Sequence, residues 1–123
     1  MASMEVSLKE MMAIDGALGA VVVDYNSGMA LGSLGGSKDL DLQVAAAGNT
    51  EVVKAKLRTM ESLGLKDTIE DILITLTRQY HVIRPITGRS GKGLFLYLAL
   101  DRTRANLALA RHHLRAIEEK LEV

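Results

Sequence analysis

Apolar residues recur at helical spacing in three stretches of the chain, with short β-branched runs between them. Met4, Leu8, Met11 and Met12 follow intervals of four and three, one face of a helix that Asp15-Gly16 closes. Gly19-Ala-Val-Val-Val-Asp24 is short and β-branched and reads as a strand. Tyr25-Asn26-Ser27-Gly28 turns the chain, with Gly28 at the positive-φ position, into a weaker strand over 29–33. Leu34-Gly35-Gly36-Ser37 is a flexible connection. Residues 39–63 keep a helical pattern for about six turns, and Gly64 ends it. Strands are then predicted over 68–76, 80–87 and 94–100. The links Thr77-Arg78-Gln79 and Gly88-Arg-Ser-Gly-Lys-Gly93 are short enough for hairpins. A last helix over 103–121 carries Leu107, Ala110, Leu114, Ile117 and Leu121 as a single stripe. The predicted order is α-β-β-α-β-β-β-α.

Two runs constrain the architecture. Leu94-Phe-Leu-Tyr-Leu-Ala-Leu100 is apolar without interruption, as a central strand covered on both faces requires, so helices are expected on both sides of one sheet. Pro85 has no amide proton for a ladder, so the strand that holds it is expected to be unpaired or bulged there.

The long helix carries two apolar faces, which are either both buried within one small domain or, since few elements remain to cover a second face, divided between the core and a partner. At about 100° per residue its polar arc gathers Gln43, Thr50, Glu51, Lys54, Arg58 and Glu61, leaving roughly 220° mostly apolar. That arc divides at Asn49 and Lys56. Leu42, Ala46, Val53, Leu57 and Met60 are large enough to cover a sheet, whereas Val44, Gly48, Val52, Ala55 and Thr59 are smaller and admit another backbone closely. A glycine inside a helix costs about 1 kcal/mol against alanine, which calls for a packing reason at Gly48. A partner surface supplies one.

Composition narrows the function classes. One domain is expected over residues 1–123, since 123 residues leave little room for a second. Fifteen Lys and Arg against fifteen Asp and Glu give zero formal charge, against a general nucleic-acid binder. Tyr25, Tyr80, Phe95 and Tyr97 are too few for a base-stacking platform. The absence of cysteine excludes disulfides and thiolate metal sites. No apolar run reaches the ~20 residues of a membrane span, so a cytoplasmic protein without membrane insertion is expected.

The sequence elements that resemble chemical motifs do not complete them. Thr87-Gly-Arg-Ser-Gly-Lys-Gly93 has two residues between its first glycines where a phosphate loop needs four, and a strand follows it rather than a helix. It reads as a solvated hairpin loop. His112 and His113 are adjacent and so point apart on a helix, and His81 stands alone on a strand. No serine has a nucleophile-elbow context. Asp24 and Asp101 read as turn and cap residues. Arg78, Arg84, Arg89, Lys92, Arg102, Arg104, Arg111 and Arg115 outnumber the one acid between them, Asp101, but span strands, loops and a helix and read as a scattered set. Catalytic, metal-binding and cofactor residues are therefore expected to be absent.

The chain resembles the roadblock/dynein light-chain domain family over nearly its whole length. The resemblance rests on Gly19-Ala-Val-Val-Val-Asp24 with Gly28, on the alanine-rich start of the long helix, and on Leu100-Asp-Arg-Thr-Arg-Ala-Asn-Leu-Ala-Leu-Ala110, the most specific run. It implies an α+β, profilin-like fold: a five-stranded antiparallel sheet, the long helix on one face and the terminal helices on the other. Family members form dimers by joining third strands edge to edge and packing their long helices together. Carried onto this chain, that interface takes Val44, Gly48, Val52, Ala55 and Thr59 from the helix and Ile72 and Ile74 from the strand.

Prokaryotic members are often partners or regulators of small Ras-like GTPases. The resemblance thus implies a non-catalytic, homodimeric regulator or scaffold whose partner meets Thr50, Glu51, Lys54, Arg58 and Glu61, with Gln43 at one end. It transfers no single arginine that would act as a finger. A ligand-sensing domain with a small-molecule cavity between the sheet and the terminal helices is the alternative. An enzyme working through Arg89 and Lys92 ranks below both.

Overall fold

A computed structural model of the chain describes residues 2–86 and 93–122. The elements are α1 (Met4–Met12), β1 (Ala17–Asp24), β2 (Ala30–Gly35), α2 (Leu42–Leu63), β3 (Ile72–Thr75), β4 (Gln79–Pro85), β5 (Leu94–Asp101) and α3 (Leu107–Lys120). The order matches the predicted one. The strands form one antiparallel sheet in the order β2-β1-β5-β4-β3.

The central strand shows why its sequence is apolar throughout. Phe95, Tyr97 and Ala99 of β5 face the α2 side, in a cluster with Val21, Val23, Leu42, Ala46, Val53 and Ile83. Leu96, Leu98 and Leu100 face the other side and pack with Leu8, Met11, Ala110, Leu114 and Ile117 of the terminal helices. Alternate residues of a strand point to opposite faces, so a strand covered twice needs apolar residues at every position. Gly19 sets the approach of α2 to β1: a Cβ there would stand 2.9 Å from Leu42 Cδ2.

Helix starts follow side-chain caps more closely than hydrophobic periodicity. Asp41 accepts from the amides of Gln43 and Val44, so α2 begins at Leu42 rather than at 39. Gly64 ends it with φ +70°, as predicted. Asn106 caps α3 through the amide of Leu109, so that helix begins at Leu107. Asp101 is therefore no helix cap; its carboxylate holds the amide and hydroxyl of Thr103 in the preceding turn. Asp24 does serve its turn, accepting from Ser27 Oγ at 2.7 Å, and Gly28 has φ +75°.

The third strand is shorter than the predicted 68–76. Only Ile72–Thr75 pairs with β4, from Ile72↔Ile83 to Thr75↔Tyr80. The polar residues before it serve as a tether: Asp71 takes two hydrogen bonds from Arg111 of α3, at 2.7 and 2.8 Å. β2, by contrast, extends to Gly35, beyond its predicted end.

Pro85 stays in register with Phe95, so there is no bulge on the β5 side. Ile86 donates to Leu94, and the alternation of the antiparallel ladder turns the nitrogen of Pro85 toward β3. Pairing with β3 has already ended at Ile83, so the missing donor breaks no bond.

Candidate interaction surface

α2 buries Leu42, Ala46, Thr50, Val53 and Met60 against the sheet. On its far side Val44, Gly48, Val52, Ala55 and Thr59 are all exposed, Val44 at 67%. A Cβ added at Gly48 would meet nothing within 4 Å. Packing among the described residues thus gives no reason for the helix to carry the cost of a glycine there.

This stripe lies beside the open edge of the sheet. A cleft of about 670 Å³ has Val52, Lys56 and Met60 on one wall and Ile72 with the chain leading to it on the other. Ile72 and Ile74 are half-buried and pack into the core on the α2 side. Those two residues lie opposite Ile83 and His81. Counted from the bond of Leu76 to Gln79, Ile72 and Ile74 bond to β4, so Leu73 and Thr75 turn their backbone groups outward. Val52 of the helix stripe and Ile72 of the edge strand thus border one cleft, and among the described residues the outer side of that strand is unpaired.

The polar arc divides. Gln43, Glu51, Arg58 and Glu61 are exposed, while Lys54 is half-buried with its ammonium 5.6 Å from the Tyr25 ring centroid. Thr50 does not belong with them. It is 2% exposed, donates to the Ala46 carbonyl at 2.7 Å, and sits beneath the β1–β2 turn beside Gly28. Leu57, expected to cover the sheet, is 38% exposed and borders an apolar cleft of about 230 Å³ with Tyr25, Val53, Pro85, Leu94 and Phe95.

Among the described residues the basic side chains between 78 and 115 are divided among separate partners. Arg84 is buried against Glu118, Arg111 holds Asp71, and Arg115 stands 3.4 Å from Glu70. Arg102 donates to the Leu76 carbonyl at 2.8 Å and lies over Tyr80. The acids that meet these arginines come from both sides of the counted segment, which is why counting within it overstated the local charge. Arg89 and Lys92, in the predicted hairpin loop, lie outside the described residues.

Among the described residues no three His, Cys, Asp or Glu side chains are grouped to hold a metal ion, and His112 and His113 are exposed on α3. Among the described residues no helix is long and apolar enough to cross a membrane. On the terminal-helix side a cleft of about 330 Å³ opens between α1 and α3, lined by Ala13, Ile14, Leu109, His113 and Ile117. The space between those helices and the sheet, where the ligand-sensing alternative places its cavity, is packed by Met11, Leu98, Leu100 and Leu114.

Sequence reasoning missed the linkage at His81. Its Nε2 is 2.7 Å from Gln79 Oε1 and its Nδ1 is 3.0 Å from Tyr97 Oη. Burial lowers the His81 pKa. Burial also pushes Tyr97 up to about 12, against a smaller opposing effect of its hydrogen bond with Asn49. A lone histidine on a strand gives no signal of this, because Asn49 and Tyr97 come from distant elements.

No family model matches the chain, and no curated protein matches it. Solved structures do. A roadblock/LC7 domain from Streptomyces avermitilis superposes with a TM-score of 0.79 at 12% identity, covering 96% of this chain and 93% of that one. Myxococcus xanthus MglB gives 0.79 at 16% identity, over 93% of this chain and 80% of that one. An MglB with a tetrameric arrangement gives 0.78 at 20% identity, over 94% and 82%. The fold is that of roadblock/LC7 domains, as the sequence resemblance implied.

Proposed function

We propose that this chain is a non-catalytic homodimer that regulates or scaffolds a small Ras-like GTPase in the cytoplasm. One observation carries the self-association: the outward stripe of α2, with a glycine that meets nothing, lies beside an unpaired strand edge. A second copy placed across it pairs strand edge to strand edge and helix to helix, covering Val44, Gly48, Val52, Ala55, Thr59, Ile72 and Ile74. The tetrameric arrangement of a similarly folded MglB supports self-association of this fold.

Dimerisation through the stripe leaves Gln43, Glu51, Lys54, Arg58 and Glu61 in water on the paired helices. These residues carry both signs of charge and set encounter and register more than affinity. The GTPase reading rests on the family resemblance. In it, this chain acts by positioning the partner's own groups and contributes no arginine to the reaction.

The test is direct binding of the purified chain to small Ras-like GTPases of its own organism, each loaded with GDP or a non-hydrolysable GTP analogue. Saturable, nucleotide-dependent binding to one of them is expected. Failure of every GTPase in both states would overturn the reading.

A further inference from the structure

His81 occupies a cleft of about 380 Å³ between the start of α2 and the sheet, bordered by Lys38, Asp41, Val44, Asn49 and Tyr97. An uncharged glutamine oxygen only accepts, so Nε2 carries the imidazole proton and Nδ1 receives the phenolic proton of Tyr97. Both ring nitrogens are thereby satisfied in the neutral form. The ring also meets the Tyr97 ring edge to face, with centroids 5.4 Å apart. Protonation would set a second N–H against the Tyr97 hydroxyl and force that hydroxyl to reverse.

The groups facing this ring give an added proton no close counter-charge. Tyr97 comes from β5, Gln79 from β4 itself and Asn49 from α2, and all three are uncharged. Ile74, opposite His81 on β3, is apolar. Lys38, Asp39 and Asp41 line the cleft from the segment before α2, with one positive and two negative charges. Neither carboxylate hydrogen-bonds to the ring, and Asp41 is engaged by the first amides of α2.

The position of this cleft is what gives it a consequence. Val44 belongs both to the cleft and to the outward stripe, and Ile74 is the cross-strand neighbour of His81. We propose that His81 makes self-association pH-sensitive: the dimer forms over the neutral imidazole and loosens when that imidazole is protonated. This rests on the homodimer reading above. A second copy seated over Val44, on the border of the cleft, and over Ile74, beside His81, removes water from the ring and disfavours its charged form further. The free-chain pKa then lies above the dimer pKa, so association is at full strength above the former and weakens as pH falls through it.

Sedimentation equilibrium from about pH 7.5 to about pH 5.5 tests this on the full chain. Two imidazoles per dimer, each losing about threefold in proton affinity, raise the dimer Kd by up to about tenfold once pH lies below both pKa values, and by a severalfold part of that at about pH 5.5. His81→Gln, which stays neutral, is expected to flatten the dependence, while His112→Gln with His113→Gln on α3 leaves it intact. A dimer whose Kd is constant over this range, or whose acid weakening persists in His81→Gln, would overturn the inference and spare the homodimer reading. A monomer throughout would overturn both. Should His81→Gln not fold, the imidazole resonance of His81 decides: a pKa lower in concentrated than in dilute wild-type samples supports the inference, and equal values overturn it.

Discussion

Asp71, the residue before the edge strand, is gripped by Arg111 of α3 through two hydrogen bonds of 2.7 and 2.8 Å. This contact crosses from the terminal-helix layer to the start of β3, a strand of only four residues. With Arg102 on the Leu76 carbonyl at the other end, it holds a short edge in place from behind.

Arg111→Ala is therefore expected to loosen the edge. The Arg111 side chain is about half exposed but that of Asp71 is 8% exposed, so most of the cost is a nearly buried carboxylate left without its donors. A loss of about 1–2 kcal/mol in urea unfolding is expected. Faster amide exchange confined to 72–75 would distinguish this from a general loss of packing.

The pair Arg84–Glu118 is the more costly one to break, because both side chains are nearly buried. Glu118→Leu strands a buried guanidinium and is expected to destabilise by about 3–5 kcal/mol. Replacing both partners, Arg84→Met with Glu118→Leu, should recover most of that loss in the same denaturant experiment.

Alkaline titration reads the Tyr97 environment. Its pKa is pushed up to about 12 from 10.0, so the folded state favours the neutral phenol. The stability this phenol contributes is complete below pH 10, where the unfolded phenol is also neutral, and is lost as pH rises toward 12. A phenolate absorbance step near 12 is expected, and Tyr97→Phe should abolish it.

Partner binding is expected to depend on the arc without Thr50. Charge reversal at both Lys54 and Arg58 should slow association about tenfold at low salt while leaving the dimer mass unchanged. Thr50→Val should leave the association rate unchanged, since its hydroxyl is already spent on the Ala46 carbonyl. Stopped-flow kinetics on a GTPase that binds the wild type separates the two.

Most of the architecture was legible because one physical rule, apolar periodicity, governs it. The doubly covered β5, the α3 stripe and, Leu57 apart, the sheet-facing side of α2 follow from spacing alone. What spacing misplaces are boundaries decided by single side chains: the Asp41 cap, the Asn106 cap and the Arg111 tether that fills the chain before β3. Thr50 was misplaced because its helical angle borders the buried face. The β1–β2 turn, a feature of tertiary structure, covers it. The His81 cluster needs three elements to meet and has no linear signature.

Mass in solution tests the central claim, that the outward stripe of α2 joins two copies of this chain. Light scattering of the wild type and of Ala55→Arg at micromolar concentration reads it directly. The expected result is twice 13.3 kDa for the wild type and 13.3 kDa for a folded Ala55→Arg, whose charge would be trapped between the helices. A wild type that scatters as a 13.3 kDa monomer, or an Ala55→Arg chain that stays fully dimeric, would contradict it.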